Sequence, residues 1–355
     1  MSHTSLLYPL LYCAFMSLGS VNGQLVAADV LASQYSLATS TSLAFPSATQ
    51  SNSDTQSFLV SNWGLSKGRI QNGASDLQFV NDPFANDPAP GASSNPDVSG
   101  PVLQVTYPNG SYSHDTGGAQ LYSLWNASDS SFLSMMVSYE IAFDSGFDWV
   151  QGGKLPGLRG GPNPDGCSGG SNATDGSDCF STRLMWRKQG EGEIYAYIPT
   201  SNGICKENDI ICNSDFGTSI DRGAFSFASG QWNRITLLVQ LNNPVNVANG
   251  FVSLYYNDVH AISQDKLQLR SSDVVTAGGL YLSTFFGGSD YSWATPQTTH
   301  TYFRNFRLWG SSSPSNLTGS KVSAANKLSS VESRVRLLFL PWIPFAAVFC
   351  AAGVL

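Results

Sequence analysis

Along most of the chain, apolar and polar residues alternate in short runs, and clusters of Gly, Pro, Asn and Asp break the runs apart. A period of two marks a strand with one buried face. Residues 102–107, 132–143, 232–241, 251–256, 279–286 and 301–309 read as strands, and the first leads into the turn signal Asn109-Gly110. Two further runs carry more information. In 180–187, Leu184 and Trp186 share one face while Ser181, Arg183, Met185 and Arg187 share the other. In 194–198, Ile194, Ala196 and Ile198 face away from Tyr195 and Tyr197. The polar, Gly-rich link Lys188-Gln189-Gly190-Glu191-Gly192 predicts a hairpin, and pairing about Gly190 sets Arg183 opposite Tyr197. Glu191 and Glu193 fall at that turn and are expected in solvent. No helical period of useful length and no repeat interrupts the strands, so the expected fold is an all-β sandwich or jelly roll, one domain over 56–311.

The ends follow other patterns. Residues 6–15 are apolar and lead through small residues to Gly23, which predicts a signal peptide over 1–23, with a membrane anchor as the competing reading. Residues 24–55 are rich in Ser, Thr and Ala without a period and are expected to form an arm or pro-segment. Residues 312–336 read as a polar linker that includes the small cluster Ser323-Ala324-Ala325-Asn326. Residues 337–355 are an apolar tail broken by Pro341 and Pro344. A small-residue site, a polar spacer and a terminal apolar tail form a glycolipid (GPI) anchor signal, and a C-terminal span is the alternative. The expected location is secreted, at the cell surface.

Composition agrees with that route. Charged residues make up only 12%, and the net charge of -7 argues against nucleic acid as a partner. An anionic substrate must therefore meet a local basic patch, such as the acid-free segment around Arg183, Arg187 and Lys188. Of six cysteines, Cys13 and Cys350 lie in the terminal segments. The spacing of the others suggests Cys167–Cys179 and Cys205–Cys212 bridges, although sequence alone allows three pairings. Asn109, Asn126, Asn172 and Asn316 head Asn-x-Ser/Thr sites.

Several chemistries lack their residues. No closely spaced carboxylate pair on a strand suits a sugar hydrolase. No Gly-x-Ser-x-Gly elbow accompanies the few histidines, no cluster has zinc spacing, and the glycine pairs follow no phosphate-loop pattern. What remains between 152 and 197 is Lys154 in Gly-Gly-Lys-Leu-Pro-Gly, then Ser181-x-Arg183, then Tyr195-x-Tyr197 twelve residues after the arginine. Lys, Arg and Ser neutralise and hydrogen-bond a carboxylate. A Tyr beside cations can ionise below its usual pKa of about 10 and move protons. That set fits β-elimination on a uronic-acid polymer.

This block resembles polysaccharide lyase family 14, whose members include alginate (polymannuronate) and glucuronan lyases on a β-jelly roll. The resemblance implies a single concanavalin A-like catalytic domain, no cofactor or metal, an anionic polysaccharide as partner and a monomer. By motif match Lys154, Arg183, Tyr195 and Tyr197 take the catalytic positions and Ser181 binds substrate. Gln120 and Arg159 are weaker binding candidates, and His114, Tyr291 and Trp293 either line the cleft or pack. Tyr197 is favoured as main acid/base because the expected register puts it beside Arg183. The competing reading is a non-catalytic carbohydrate-binding wall protein on the same fold.

Overall fold

The computed structural model describes residues 24–91, 100–114, 116–125, 131–168, 174–200, 203–213 and 215–322. The expected signal peptide, the anchor region with its tail, Asn126 and Asn172 lie outside them. The strands begin with β1 (Thr39–Ser42), β2 (Leu77–Val80), β3 (Val102–Tyr107), β4 (Ala119–Leu124), β5 (Ser134–Phe143) and β6 (Gly152–Gly160). The chain continues through β7 (Phe180–Arg187), β8 (Glu191–Tyr197), β9 (Ile210–Ile211), β10 (Thr218–Ser226), β11 (Trp232–Gln240) and β12 (Val247–Ala248). It closes with β13 (Gly250–Tyr256), β14 (Val259–Leu267), β15 (Ala277–Phe286), β16 (Thr299–Ser311) and β17 (Ser320–Lys321). Among the described residues two α-helices, α1 (Ala28–Gln34) and α2 (Asn52–Asn62), precede β2.

One sheet runs β14-β13-β11-β5-β16-β3-β2 with β1 beside β16, and the other runs β4-β15-β6-β7-β8-β10-β9. The pairings are antiparallel, giving the expected jelly-roll sandwich. Between the sheets, Val137, Tyr139 and Ile141 of β5 pack in one core with Leu155, Leu158, Leu184, Trp186, Ile194, Ala196, Leu280 and Leu282. Burying each such aliphatic side chain stabilises the fold by roughly 1.5–3 kcal/mol. It also leaves alternate positions of β6, β7, β8 and β15 pointing away from the core.

A bulge in β6 decides which residues share that outer face. Leu155 pairs with Leu184, but Leu158 pairs with Thr182, so β6 carries one extra residue at Pro156-Gly157. Without it, Lys154 and Arg159, five positions apart, would face opposite sides. Proline suits a bulge, where its missing N–H breaks no ladder bond. A Cβ at Gly157 would sit 2.0 Å from the Thr182 carbonyl oxygen, so the close approach requires glycine. The Pro156 carbonyl released by the bulge accepts from the buried Tyr139 hydroxyl across the core at 2.9 Å.

The 24–55 stretch differs from expectation, because it is packed onto the sandwich rather than held apart as an arm. Leu31 and Ala32 of α1 bury against Met136, Leu238 and Trp309, on the outer side of the first sheet. Residues Thr39 to Ser42 pair with Gly310 to Arg307. Ser51 caps α2 by accepting from the Asp54 amide, and Thr55 accepts from the Phe79 amide. The few apolar residues that make these contacts are diluted by Ser and Thr, which hides any period.

Candidate active site

The hairpin of β7 and β8 turns through Lys188–Gly190, with Gln189 at φ 60° and Gly190 at φ 80°. This three-residue turn centres the pairing one residue earlier than expected. Arg183 therefore lies opposite Tyr195, and Ser181 opposite Tyr197. The expected Arg183–Tyr197 pairing is wrong, and the reason for favouring Tyr197 falls with it. The face itself is as expected: Lys154, Ser181, Arg183, Tyr195 and Tyr197 meet on the side of the sheet away from the core and are nearly or fully buried.

Lys154 Nζ sits 3.4 Å from the centre of the Tyr195 ring and donates to Met185 Sδ at 3.0 Å. It forms no ion pair among the described residues. Burial, and then the Arg183 and Arg187 charges, push its pKa well below the usual lysine value. The ring face favours the ammonium by about 0.5–2 kcal/mol, which only partly offsets the lost hydration. Arg183, 0% exposed, donates from Nη1 to Ser283 at 3.1 Å and stacks against the Tyr281 ring at 4.4 Å. Among the described residues its Nε and Nη2 are buried without a hydrogen-bond partner, and so is the Tyr197 hydroxyl. Such orphans are rare in folded proteins, and three together on a guanidinium and a phenol form a socket for a planar anion. Burial raises the pKa of both Tyr195 and Tyr197, outweighing the opposing Arg183 charge. The expectation that neighbouring cations would ionise a tyrosine is therefore reversed in this state.

The remaining candidates are placed nearby with other partners. Ser181 donates to the Cys167 carbonyl at 2.6 Å, and Arg159 donates to the Asn163 carbonyl at 2.6 Å while stacking on Tyr122 at 4.6 Å. Gln120 accepts from Tyr281 at 3.1 Å and from Ser283 at 3.4 Å, which links it to Arg183. His114 lies against Phe285, the cross-strand neighbour of Lys154. Tyr291 is exposed, and Trp293 packs on Gly288. Among the described residues no group of His, Cys, Asp or Glu is placed to hold a metal.

The family model of polysaccharide lyase 14 matches residues 95–306. The chain belongs to this family. The lyase is 33% identical to the marine PL-14 alginate lyase from Aplysia kurodai, with a TM-score of 0.62 over 76% of this chain and 98% of that one. The fold is shared at lower identity. Alginate lyase Aly36B is 18% identical, with a TM-score of 0.54 over 80% of this chain and 98% of its own. Alginate lyase vAL-1 from Chlorella virus is 19% identical, with a TM-score of 0.50 over 60% and 86%. No curated protein matches the chain.

Both expected disulfides are present in the lyase, Cys167–Cys179 and Cys205–Cys212. The first packs against Met185, Tyr195 and Tyr197 and holds the carbonyl that fixes Ser181. Replacing Cys167 and Cys179 together by alanine is expected to destabilise the lyase by about 3 kcal/mol and to lower kcat. The same change at Cys205 and Cys212 is expected to cost stability alone. Thermal melts and initial rates of the two double variants check this.

Several groups at the site are not marked by any motif in the sequence. Tyr281 and Ser283 were legible as one face of an alternating run, but nothing in the run says that it pairs with β6. Glu193, expected in solvent, is fully buried. Its strand position beside two tyrosines was the available signal.

Proposed function

We propose that this lyase cleaves 1,4-linked polyuronate, glucuronan or polymannuronate, by β-elimination. The observation that carries the reading is the orphaned pair of Arg183 nitrogens beside the orphaned Tyr197 hydroxyl. Lys154, Arg159, Arg183 and Arg187 crowd this face of a chain whose net charge is -7, and that local excess suits a polyanion. The alginate lyase relatives point to the same substrate class.

In this reading Arg183 takes the uronate carboxylate through Nε and Nη2. Neutralising the carboxylate acidifies the C5–H bond, because the developing enolate shares its charge with the guanidinium. Lys154, disposed to be neutral by burial, accepts the C5 proton. The C4–O4 bond breaks as the C4=C5 double bond forms, and Tyr197, held protonated, donates to the departing O4. Proton return from Lys154 to the tyrosinate restores both groups. D-glucuronate and D-mannuronate carry the C5 proton and O4 on the same side, so one protein face serves both steps.

Tyr197→Phe is expected to lower kcat roughly a hundredfold, the low end for general acid catalysis, since the Tyr195 hydroxyl lies close by. It should destabilise the fold little, because the lost hydroxyl satisfies no buried backbone group among the described residues. Tyr195→Phe should destabilise it more, by leaving the buried Gly217 amide unpaired. Rates and melts of the two variants check this. The substrate is tested by incubating the lyase with glucuronan, polymannuronate and mixed alginate while following the ultraviolet absorbance of unsaturated ends. Absence of product with all three overturns the reading.

Secretion and a surface anchor are part of the proposal. The two disulfides suit an oxidising compartment, and Asn109 and Asn316 are exposed. Retention on membranes after a phosphatidylinositol-specific phospholipase would refute the anchor.

A further inference from the structure

A buried carboxylate is an unexpected group in a recess that receives a polyanion. Glu193 is 0% exposed and lies directly across from Met185, the acceptor of Lys154, and two residues before Tyr195 on the same face. One carboxylate oxygen accepts from Arg187 Nε at 3.0 Å and Nη2 at 2.6 Å. The other accepts from the Ser219 hydroxyl at 2.6 Å and Arg222 Nε at 2.7 Å. With both oxygens engaged, Glu193 is poorly placed to act as acid or base. It does connect three strands, β7, β8 and β10, around the lysine.

Resting on the elimination reading above, we propose that Glu193 is a positioning residue, which clamps Arg187 and Arg222 so that the Lys154–Met185–Tyr195 stack stays assembled and Arg187 is drawn away from the lysine. Arg187 still lies only 5.9 Å from the Tyr195 ring. The charged and titratable groups around Lys154 come from every neighbouring element. They are Arg159 on β6 itself, Arg183 and Arg187 on β7, Glu193, Tyr195 and Tyr197 on β8, Arg222 on β10, Tyr281 on β15 and His114 before β4. Two of them pull the lysine in opposite directions: the Glu193 charge favours its ammonium form and the Arg187 charge opposes it.

That opposition supplies a readout which a merely structural role would not move. With Lys154 as base, the acid limb of the kcat/KM pH profile reports its protonation. Glu193→Gln should displace this limb to lower pH, and Arg187→Gln should displace it to higher pH. Glu193→Gln should also lower kcat about a hundredfold, the scale of a misplacement of about 1 Å. KM should not rise, since one repelling charge is gone. Wild-type protein that makes no unsaturated product on any polyuronate defeats the elimination reading rather than this inference. With an active wild type, limbs that stay put or move the same way overturn it. If Glu193→Gln does not fold, the direction of the Arg187→Gln limb decides alone.

Discussion

Lys154→Met is expected to lower kcat by roughly 10²–10⁴-fold, the range for loss of a general base, while leaving the lyase folded. Methionine keeps an unbranched stem that can still lie against Tyr195 and Met185, so the recess keeps its shape. The variant should melt at a higher temperature near neutral pH. Lys154 has no ion pair among the described residues, and burial pushes its pKa well below 10.5. The unfolded chain therefore binds one proton more than the native state over the window between the two pKa values, and stability rises with pH there. The penalty is present below the unfolded value and fades as pH rises towards it. Accordingly, the advantage of Lys154→Met should shrink as the pH approaches the usual lysine value. Melting temperatures across that window check the sign, and a loss of stability at neutral pH would contradict it.

Arg183→Lys should lower kcat by about 10²–10³-fold, the scale for removing one aimed donor from a developing oxyanion. The charge survives but the fork does not. Lysine cannot present two parallel N–H bonds to a carboxylate, nor hold Ser283 and the Tyr281 ring at the same time. KM should rise as well, because the carboxylate is bound before it is neutralised. A variant with wild-type kcat and KM would show that the uronate carboxylate binds elsewhere.

Alternation in 180–187 and 194–198 was enough to put Arg183, Tyr195 and Tyr197 on one face, since a period of two fixes sides without knowledge of the fold. It could not fix register. The left-handed Gln189 moves the turn centre by one residue, so that Arg183 faces Tyr195 and Tyr197 faces Ser181. Lys154 stands out by its motif, but the bulge that brings it and Arg159 onto one face exists only in the pairing of β6 with β7. Protonation was least legible. A row of cations beside phenols suggests ionised tyrosine, whereas the depth of the recess reverses that preference and disfavours the charged lysine instead. Burial is a property of the whole sandwich, and the burial of Glu193 is illegible in the sequence for the same reason.

The most direct test of the account is the chemistry of the cut ends made by wild-type lyase and Lys154→Met from one pure polyuronate, read by mass spectrometry. Elimination adds no water, so the new non-reducing ends should carry the C4=C5 double bond and be lighter by one water than hydrolytic ends. Lys154→Met should form them only at the greatly reduced rate. Saturated ends from the wild type, or unsaturated ends at the full rate from Lys154→Met, would contradict the account.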